Sequence, residues 1–291
     1  MPTISFVGLG AMGLPMATNL VNAGFQVYGS DLSSEQAQRF KNSGGKAFNN
    51  LATAFLNSDF VITMLPNSKI VRSVLQDNSE QLKALSSSKP VVIDMSSCNP
   101  IETRTLASDL SKLNIRLIDA PVSGGVKRAL SGELAIMAGG MKSNDDEVEK
   151  VLFALGNIVK TGAVGSGHAM KALNNFVSAA GLVAACEAIN LGKDFGLDPS
   201  DIVSVLNTSS GKNNATENKL AQFVLSENYN SGFALRLMAK DLDIAKQLSN
   251  AKETDNTLLT LMQHYWQEAA HNLPDNADHT EIMKYIQFKA S

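Results

Sequence analysis

Two patterns of apolar residues divide this chain of 291 residues. In the first half, short runs of consecutive apolar residues alternate with stretches of helical length. In the second half these runs disappear, and only stretches with helical length and helix-capping residues remain. Continuous apolar strands separated by helices are typical of a parallel sheet that is covered on both faces. The pattern therefore predicts an α/β domain over residues 1–162 and an all-α domain over residues 163–291.

Each predicted element is bounded by turn or capping residues. Asn99, Pro100 and Glu102 form an N-cap, an N1 proline and an N3 acid, and Asp278 with Glu281 forms a capping box. The predicted strands of the first half are 4–7, 25–29, 60–65, 91–95, 117–120, 134–137 and 157–160. The predicted helices of the second half, after a long one from 165, are 198–208, 215–225, one containing 238–245, 257–270 and 278–288.

The longest apolar stretch, residues 165–195, is too long for a strand and follows glycine-rich sequence, which predicts a long buried helix. Its apolar part contains only two charged residues, Lys171 and Glu187. Four polar residues share one face at helical spacing: Lys171, Asn174, Asn175 and Ser178. An ammonium on an apolar helix is costly without a partner. A lysine that reaches solvent and a catalytic lysine are both compatible with this pattern.

A glycine-rich loop lies between the first strand and the first helix. Its sequence is Gly8-Leu9-Gly10-Ala11-Met12-Gly13, the GxGxxG pattern that lets backbone approach a pyrophosphate at a helix N-terminus. Asp31 follows 18 residues after Gly13, at the end of the second strand. There a carboxylate can accept both ribose hydroxyls of NAD, although a cap or turn residue would look the same. No arginine follows Asp31, so NAD is favoured over NADP.

Other strand ends supply further candidates, because ligands of such sheets bind beyond the carboxyl ends of the strands. Leu65, Pro66 and Ser96 are therefore predicted to contact the cofactor. A later strand leads into Ser123-Gly124-Gly125, which is either a nest of backbone N–H groups suited to a carboxylate or a plain tight turn.

Composition narrows the function. The net charge of −3 gives no electrostatic case for nucleic acid or an anionic membrane. The two cysteines form no CxxC pair, and the four histidines are scattered, so we expect no metal site. The start of the chain has no basic leader, and polar residues interrupt the long helix before it reaches the ~18 apolar residues of a membrane span. We expect a cytoplasmic protein.

Four segments in order resemble the β-hydroxyacid dehydrogenase family: GLGAMGLPMATNL at 8–20, DAPVSGG at 119–125, GSGHAMKALNN at 165–175 and MAKDLDIA at 238–245. The likeness spans nearly the whole chain. It implies a Rossmann-type doubly wound parallel sheet domain followed by an all-α domain, joined by a long central helix. It also implies NAD-dependent oxidation of a 3-hydroxy carboxylic acid to its semialdehyde or keto acid, or the reverse reaction.

The resemblance also implies residue roles. Lys171 matches the family's catalytic lysine, and Asn175 positions the substrate beside it, with Asn174 on the same face as a further substrate contact. The carboxylate is held by Ser123, Gly124 and Gly125, and Ser96 matches a cofactor-contacting serine. Lys240 is implied to reach both cofactor and substrate, whereas its spacing beside Asp241 and Asp243 alone predicts a solvated helix face.

The physical chemistry of the reaction sets one further expectation. Lys171 can act as a base only when partly neutral, and desolvation on an apolar helix, with Lys240 or a cationic nicotinamide nearby, would lower its pKa in that direction.

The substrate stays open. Family members specific for 3-hydroxyisobutyrate tend to place a tryptophan after the sequence SSG, but here Gly211 is followed by Lys212-Asn213-Asn214, and the one tryptophan is Trp266. This departure favours a more polar or longer substrate. A reductase of tartronate semialdehyde or a similar compound, a threonate-type sugar acid dehydrogenase and a non-catalytic NAD-binding protein are the alternatives. Small and apolar surfaces in the second half predict a homodimer or homotetramer.

Overall fold

The computed structural model describes residues 1–48, 50–77 and 79–290, and the chain divides into two compact units, Met1–Lys171 and Ala172–Ser291. The division falls inside the long helix, whereas the boundary predicted from the sequence, between 162 and 163, lies ahead of it.

The first unit is built on a nine-stranded sheet with the order β3-β2-β1-β4-β5-β6-β8-β7, in which β9 also pairs with β8. The strands are β1 Thr3–Val7, β2 Gln26–Ser30, β3 Lys46–Ala47, β4 Phe60–Thr63, β5 Val91–Asp94, β6 Arg116–Asp119, β7 Val122–Ser123, β8 Leu134–Gly139 and β9 Gly156–Gly162. From β3 to β6 every pairing is parallel. The predicted doubly wound sheet domain is therefore confirmed, and its pairings are predominantly parallel.

One edge of the sheet departs from a wholly parallel arrangement. Strand β8 runs antiparallel to β6 and β7, and parallel to β9. Only residues 124–133 connect β7 to β8, which is short of the dozen or more residues that a parallel crossover needs. The chain therefore reverses direction at this edge, which strand-by-strand reading of the sequence did not predict.

Helices cover both faces of this sheet. Along β1 and β4, successive side chains enter different apolar clusters: Phe6 and Ile62 lie in one, Val7 and Val61 in the other. This alternation follows from the two-residue period of a strand. The helices are α1 Gly13–Asn22, α2 Ser34–Asn42, α3 Leu51–Leu56, α4 Ser68–Arg72, α5 Ser79–Ser88, α6 Pro100–Ser111, α7 Gly125–Ser131 and α8 Asp146–Phe153.

The long helix predicted from the apolar stretch is confirmed as α9, Ser166–Phe195. By length and composition it could cross a membrane, with a mean hydropathy of 1.4 in its most apolar window, of which 44% is buried. Core helices of water-soluble proteins pass the same test. Here Leu182, Cys186 and Ile189 pack into the core of the second unit.

The regular elements of the second unit are helices, joined by loops, with one isolated β-bridge between Ala234 and Asp278 in the part of the chain that the structure describes. Its further helices are α10 Pro199–Thr208, α11 Asn214–Asn218, α12 Leu235–Ala251, α13 Thr257–Asn272 and α14 Ile282–Ala290. The predicted capping box of Asp278 and Glu281 is confirmed, and it opens a 3₁₀ turn that leads into α14.

The continuous helix predicted over 215–225 is wrong. It breaks at Lys219, and Leu220–Val224 is π-helical, with the N–H of Leu225 donating to the carbonyl of Leu220. Lys219 itself, at φ −129°, lies outside helical geometry.

Candidate active site

The glycine loop is shaped by close contacts. Gly8 has φ +98°, and a Cβ there would lie 2.3 Å from the carbonyl oxygen of Met64. A Cβ on Gly13 would lie 1.8 Å from the carbonyl oxygen of Gly8, so both positions require glycine. A Cβ on Gly10, in contrast, would meet no atom within 4 Å. The loop is therefore tightly folded but open at Gly10, and this fits the approach of a dinucleotide pyrophosphate.

Asp31 is held against this loop by backbone hydrogen bonds. Its Oδ2 accepts from the N–H of Leu9 at 2.6 Å, and its Oδ1 accepts from the N–H of Ser33 at 2.8 Å. The carboxylate thus lies beside the glycine loop, at the end of β2, where the ribose of a dinucleotide would be bound.

The ends of β4 and β5 are tied together next to the loop. The N–H of Leu65 donates to Oγ of Ser96 at 2.9 Å, and a Cβ on Gly8 would lie 3.1 Å from Cδ2 of Leu65. The structure therefore brings the predicted cofactor residues of the glycine loop together with Leu65 and Ser96, and Pro66 follows directly in the chain.

A buried histidine connects this edge to α9. The Nε2 of His168 lies 3.0 Å from the carbonyl oxygen of Ser96, which can only accept, so Nε2 carries a proton. Its Nδ1 lies 2.8 Å from Oγ1 of Thr103. Oδ2 of Asp94 is 3.7 Å from Nε2. Sequence reading had treated His168 only as one of four scattered histidines.

Three potential metal ligands, Asp94, Cys98 and His168, lie within 4.8 Å of one another. Both ring nitrogens of His168 already have protein partners, Thr103 and Ser96. The imidazole therefore functions here as a hydrogen-bonded connection between β5, α6 and α9.

Asp119 caps the N-terminus of α9 from the end of β6. Its Oδ1 accepts from the N–H of Gly165 at 2.7 Å, and its Oδ2 accepts from the N–H of His168 at 2.9 Å. Burial raises the pKa of this carboxyl, and His168 and the two backbone donors act against that rise. A Cβ on Gly139 would lie 2.6 Å from Oδ1 of Asp119, which explains a glycine at that point. In the sequence, this capping role is indicated by the position of an acidic residue at the end of an apolar strand.

Lys171 lies one helical turn after His168 and is only 8% exposed. One turn further, the buried Asn175 donates from Nδ2 to Oδ2 of Asp241 at 2.6 Å, and its Oδ1 accepts from Nδ2 of Asn174 at 3.1 Å. Asp241 thereby fixes the orientation of the Asn175 amide.

The helix that contains Asp241 is not solvated at this point. Asp241 is 1% exposed, and Nζ of the half-buried Lys240 lies 3.6 Å from its Oδ1. The solvated face predicted from spacing alone is therefore wrong for Asp241. Its role as the partner of Asn175 was missed, because the sequence places the two residues 66 positions apart.

The loop of Ser123, Gly124 and Gly125 joins β7 to α7. Gly124 has φ +133° and Gly125 φ +65°, both in the region that favours glycine. A Cβ on Gly125 would meet no atom within 4 Å. The loop is thus a tight turn with an open side at Gly125.

Comparison with known proteins agrees with this geometry. Residues 3–165 match the family model for the NAD binding domain of 6-phosphogluconate dehydrogenase, and residues 165–286 match the model for the NAD-binding region of NADP-dependent 3-hydroxyisobutyrate dehydrogenase. Fold and site together define a nicotinamide-dependent dehydrogenase of hydroxy acids.

The chain belongs to the β-hydroxyacid dehydrogenase family. It is 37% identical to 2-(hydroxymethyl)glutarate dehydrogenase of Eubacterium barkeri over 83% of this chain and 80% of that protein. It is 33% identical to mitochondrial 3-hydroxyisobutyrate dehydrogenase of Mus musculus over 98% of this chain and 87% of that protein. A structure of Mycobacterium tuberculosis 3-hydroxyisobutyrate dehydrogenase with L-serine superposes with a TM-score of 0.90, at 30% identity, covering 98% and 99% of the two chains.

The chain is thus an oxidoreductase that acts on the CH–OH group of a 3-hydroxy carboxylic acid with a nicotinamide dinucleotide as cofactor. The alternative of a non-catalytic NAD-binding protein is set aside, because the relatives named above are dehydrogenases.

Proposed function

We propose that Lys171 is the general acid/base of this dehydrogenase. The observation that carries the proposal is its burial, at 8% exposure, one helical turn after His168, whose N–H donates to Asp119 at the N-terminus of α9. A lysine side chain at this position can accept the proton of a substrate hydroxyl in one direction of the reaction and return it in the other.

The proposed reaction assigns a task to each group. A bound nicotinamide dinucleotide would supply the acceptor for the hydride that leaves the carbinol carbon. Nζ of Lys171 accepts the hydroxyl proton during oxidation and returns it during reduction. Asn175, oriented by Asp241, donates to or accepts from the reacting oxygen and holds it in register with Lys171.

Substrate anchoring is proposed for Ser123, Gly124 and Gly125, whose turn would bind the carboxylate through the serine hydroxyl and backbone N–H groups. Asn174 and Lys240 are proposed as further polar contacts, with Lys240 also near the cofactor. The half-buried position of Lys240 beside Asp241 supports a role in binding over a purely solvated one.

We further propose that NAD is preferred over NADP. Asp31 accepts from the N–H of Leu9 in the glycine loop and from the N–H of Ser33. A 2′-phosphate would meet this carboxylate, and residues 32–34 include no arginine to compensate.

The proposed site can catalyse the reaction in either direction. The same groups would serve a semialdehyde reductase or a threonate-type dehydrogenase. The relatives named for 2-(hydroxymethyl)glutarate and 3-hydroxyisobutyrate favour an acid with its hydroxymethyl group on the carbon next to the carboxylate.

A homodimer or homotetramer in the cytoplasm is also proposed. Large apolar side chains are exposed along α9, at Met170, Leu173, Val177, Leu191 and Phe195. A row of exposed apolar side chains along one helix is typical of a surface that is covered by a partner. Sedimentation or light scattering at micromolar concentration measures the assembly directly.

The central experiment compares the wild type with Lys171→Met in NADH formation at saturating 3-hydroxyisobutyrate or 2-(hydroxymethyl)glutarate. We expect kcat to fall by about 10²–10⁴-fold. Lys193→Met, an exposed lysine on the same helix, is the matched control and should keep its rate. Retained kcat in Lys171→Met would refute the assignment, and equal rates with NAD and NADP would refute the cofactor preference.

A further inference from the structure

The break in the helix after residue 218 places a cation on the polar face of α9. Lys219 stands between α11 and the π-helical segment Leu220–Val224, and π-helical turns are frequent at functional sites. Its Nζ donates to Oγ of Ser178 at 3.3 Å. Within the described residues this ammonium has no carboxylate oxygen within 4 Å, and its one hydrogen bond is to a neutral hydroxyl.

The surroundings do not neutralise this charge. Burial lowers the pKa of Lys219 to about 8, and the more distant carboxylate of Asp278 only partly opposes that shift. The pKa of His279 is lowered by burial and also by the charge of Lys219. A half-buried ammonium with two unused N–H donors is costly in the protein alone, and it is stabilised when an anion binds to it.

Ser178 locates this cation relative to the proposed reaction. It shares its helix face with Lys171, Asn174 and Asn175, one turn beyond Asn175 and seven residues beyond Lys171. At 1.5 Å per residue, that spacing is about 10 Å along the helix axis. A substrate that reacts at Lys171 and extends along this face would therefore present its far end to Lys219.

The loop ahead of Lys219 does not offer an equivalent group. Lys212 is paired with Glu217 at 2.9 Å. Asn213 accepts with its Oδ1 from the N–H groups of Ala215 and Thr216 as the cap of α11. The polar side chains of Lys212 and Asn213 are thus paired with other residues of the same segment. The charge next to α9 comes from Lys219, which donates to Ser178.

We propose that Lys219 is a specificity residue that binds a second carboxylate, so that the preferred substrates are hydroxymethyl dicarboxylic acids. This inference rests on the proposed reaction at Lys171. It assigns to Lys219 no part in the hydride or proton transfer.

The test compares 3-hydroxyisobutyrate, 2-(hydroxymethyl)succinate and 2-(hydroxymethyl)glutarate in the wild type and in Lys219→Met. We expect the wild type to favour a diacid. In Lys219→Met, KM for that diacid should rise by roughly 10–100-fold, the loss of one charge-assisted contact, while kcat changes little. KM for the monoacid should stay unchanged or fall. Lys212→Met, from the same segment, should leave all three substrates unaffected.

Binding of unreactive analogues separates this inference from the reaction itself. Titration calorimetry with 2-methylglutarate and isobutyrate, in the presence of NAD, requires no turnover. Weaker binding of 2-methylglutarate alone to Lys219→Met supports the inference even if no acid is oxidised. Equal binding of 2-methylglutarate to both proteins, or an equal loss for diacid and monoacid, overturns it. Circular dichroism establishes that the variant is folded.

The pH dependence gives a second readout. The kcat/KM for the diacid, divided by that for the monoacid, should decline as pH rises through about 8, where Lys219 loses its proton. Asp278, His279 and Cys186 are the other titratable groups that face Lys219, and Lys219→Met retains all three. A decline that persists in Lys219→Met would overturn the assignment.

Discussion

Each unit contains a buried aspartate that joins segments distant in the sequence, and the two aspartates are supported differently. In the first unit, Asp119 accepts two backbone hydrogen bonds, from Gly165 and His168. In the second unit, Asp278 accepts from the N–H groups of Gly232 and Thr280 and from the hydroxyls of Ser231 and Thr280. The pKa of Asp119 is raised, whereas that of Asp278 is lowered.

Burial raises the pKa in both cases, so the number and kind of donors decides the outcome. At Asp278, hydrogen bonds from His279 and Thr280 outweigh the desolvation. At Asp119, desolvation outweighs the opposing effects of His168 and of the two backbone N–H groups, so the pKa is raised. A buried carboxylate thus stabilises its unit as an anion only where enough donors surround it. We therefore expect Asp278 to be mainly structural and Asp119 to link stability with the position of Lys171.

The largest effect is expected from Asp278→Ala. The change leaves several buried donors without an acceptor and removes the cap of the turn before α14, so we expect a loss of about 3–4 kcal/mol in the free energy of unfolding. Urea denaturation followed by circular dichroism measures it. Asp275→Ala is the control, because Asp275 is exposed and paired with Arg236 on the surface, and it should change stability by less than about 0.5 kcal/mol. Equal losses in the two variants would contradict the structural role of Asp278.

A smaller loss is expected from Asp119→Asn. The amide can accept from only one of the two N–H groups and turns its own NH₂ toward the other, so we expect about 2 kcal/mol. Because the N-terminus of α9 then shifts, kcat should fall by about tenfold with less change in KM. The control is Asp146→Asn, an exposed residue in the first turn of α8. An unchanged kcat together with the expected loss of stability would show that Asp119 does not position Lys171.

The smallest effect concerns the pH dependence of stability, where the two aspartates should act with opposite signs. Asp278, with its lowered pKa, contributes stability above its unfolded value near 3.8, and this is lost as pH falls toward the folded pKa. Asp119, with its raised pKa, binds its proton more tightly when folded, so stability falls as pH rises from 3.8 through the raised pKa.

Urea midpoints between pH 2 and pH 7 test these signs, with an expected size on the order of 1 kcal/mol for each unit of pKa shift. The decline above pH 3.8 should be absent in Asp119→Asn. A wild-type decline that this variant retains would assign the raised pKa to another carboxyl.

Much of the fold could be predicted from local patterns. Strand and helix positions in the first unit, the cap at Asn99 and the capping box at Asp278 depend on residues within a few positions of one another. The glycine loop could be predicted equally well, because the close backbone contacts at Gly8 and Gly13 require glycine.

The errors arose where distant residues compete with local preference. The reversal at β8 depends on the length of the α7 connection, and the break at Lys219 overrides an acceptable helical sequence. The Asn175–Asp241 pair and the Asp119 cap join residues that are 66 and 46 positions apart, and a single sequence gives no measure of such proximity.

The sequence by itself determined the class of protein and the cofactor loop, since backbone approach to a phosphate needs glycine at defined positions and an apolar strand needs no distant partner to be recognised. Only the tertiary structure decided which polar groups are buried together. It turned Asp241 from a surface charge into the partner of Asn175, and it placed Lys219 beside Ser178. The physical reason is that the cost of burying a charge depends on its neighbours in space, and folding chooses those neighbours.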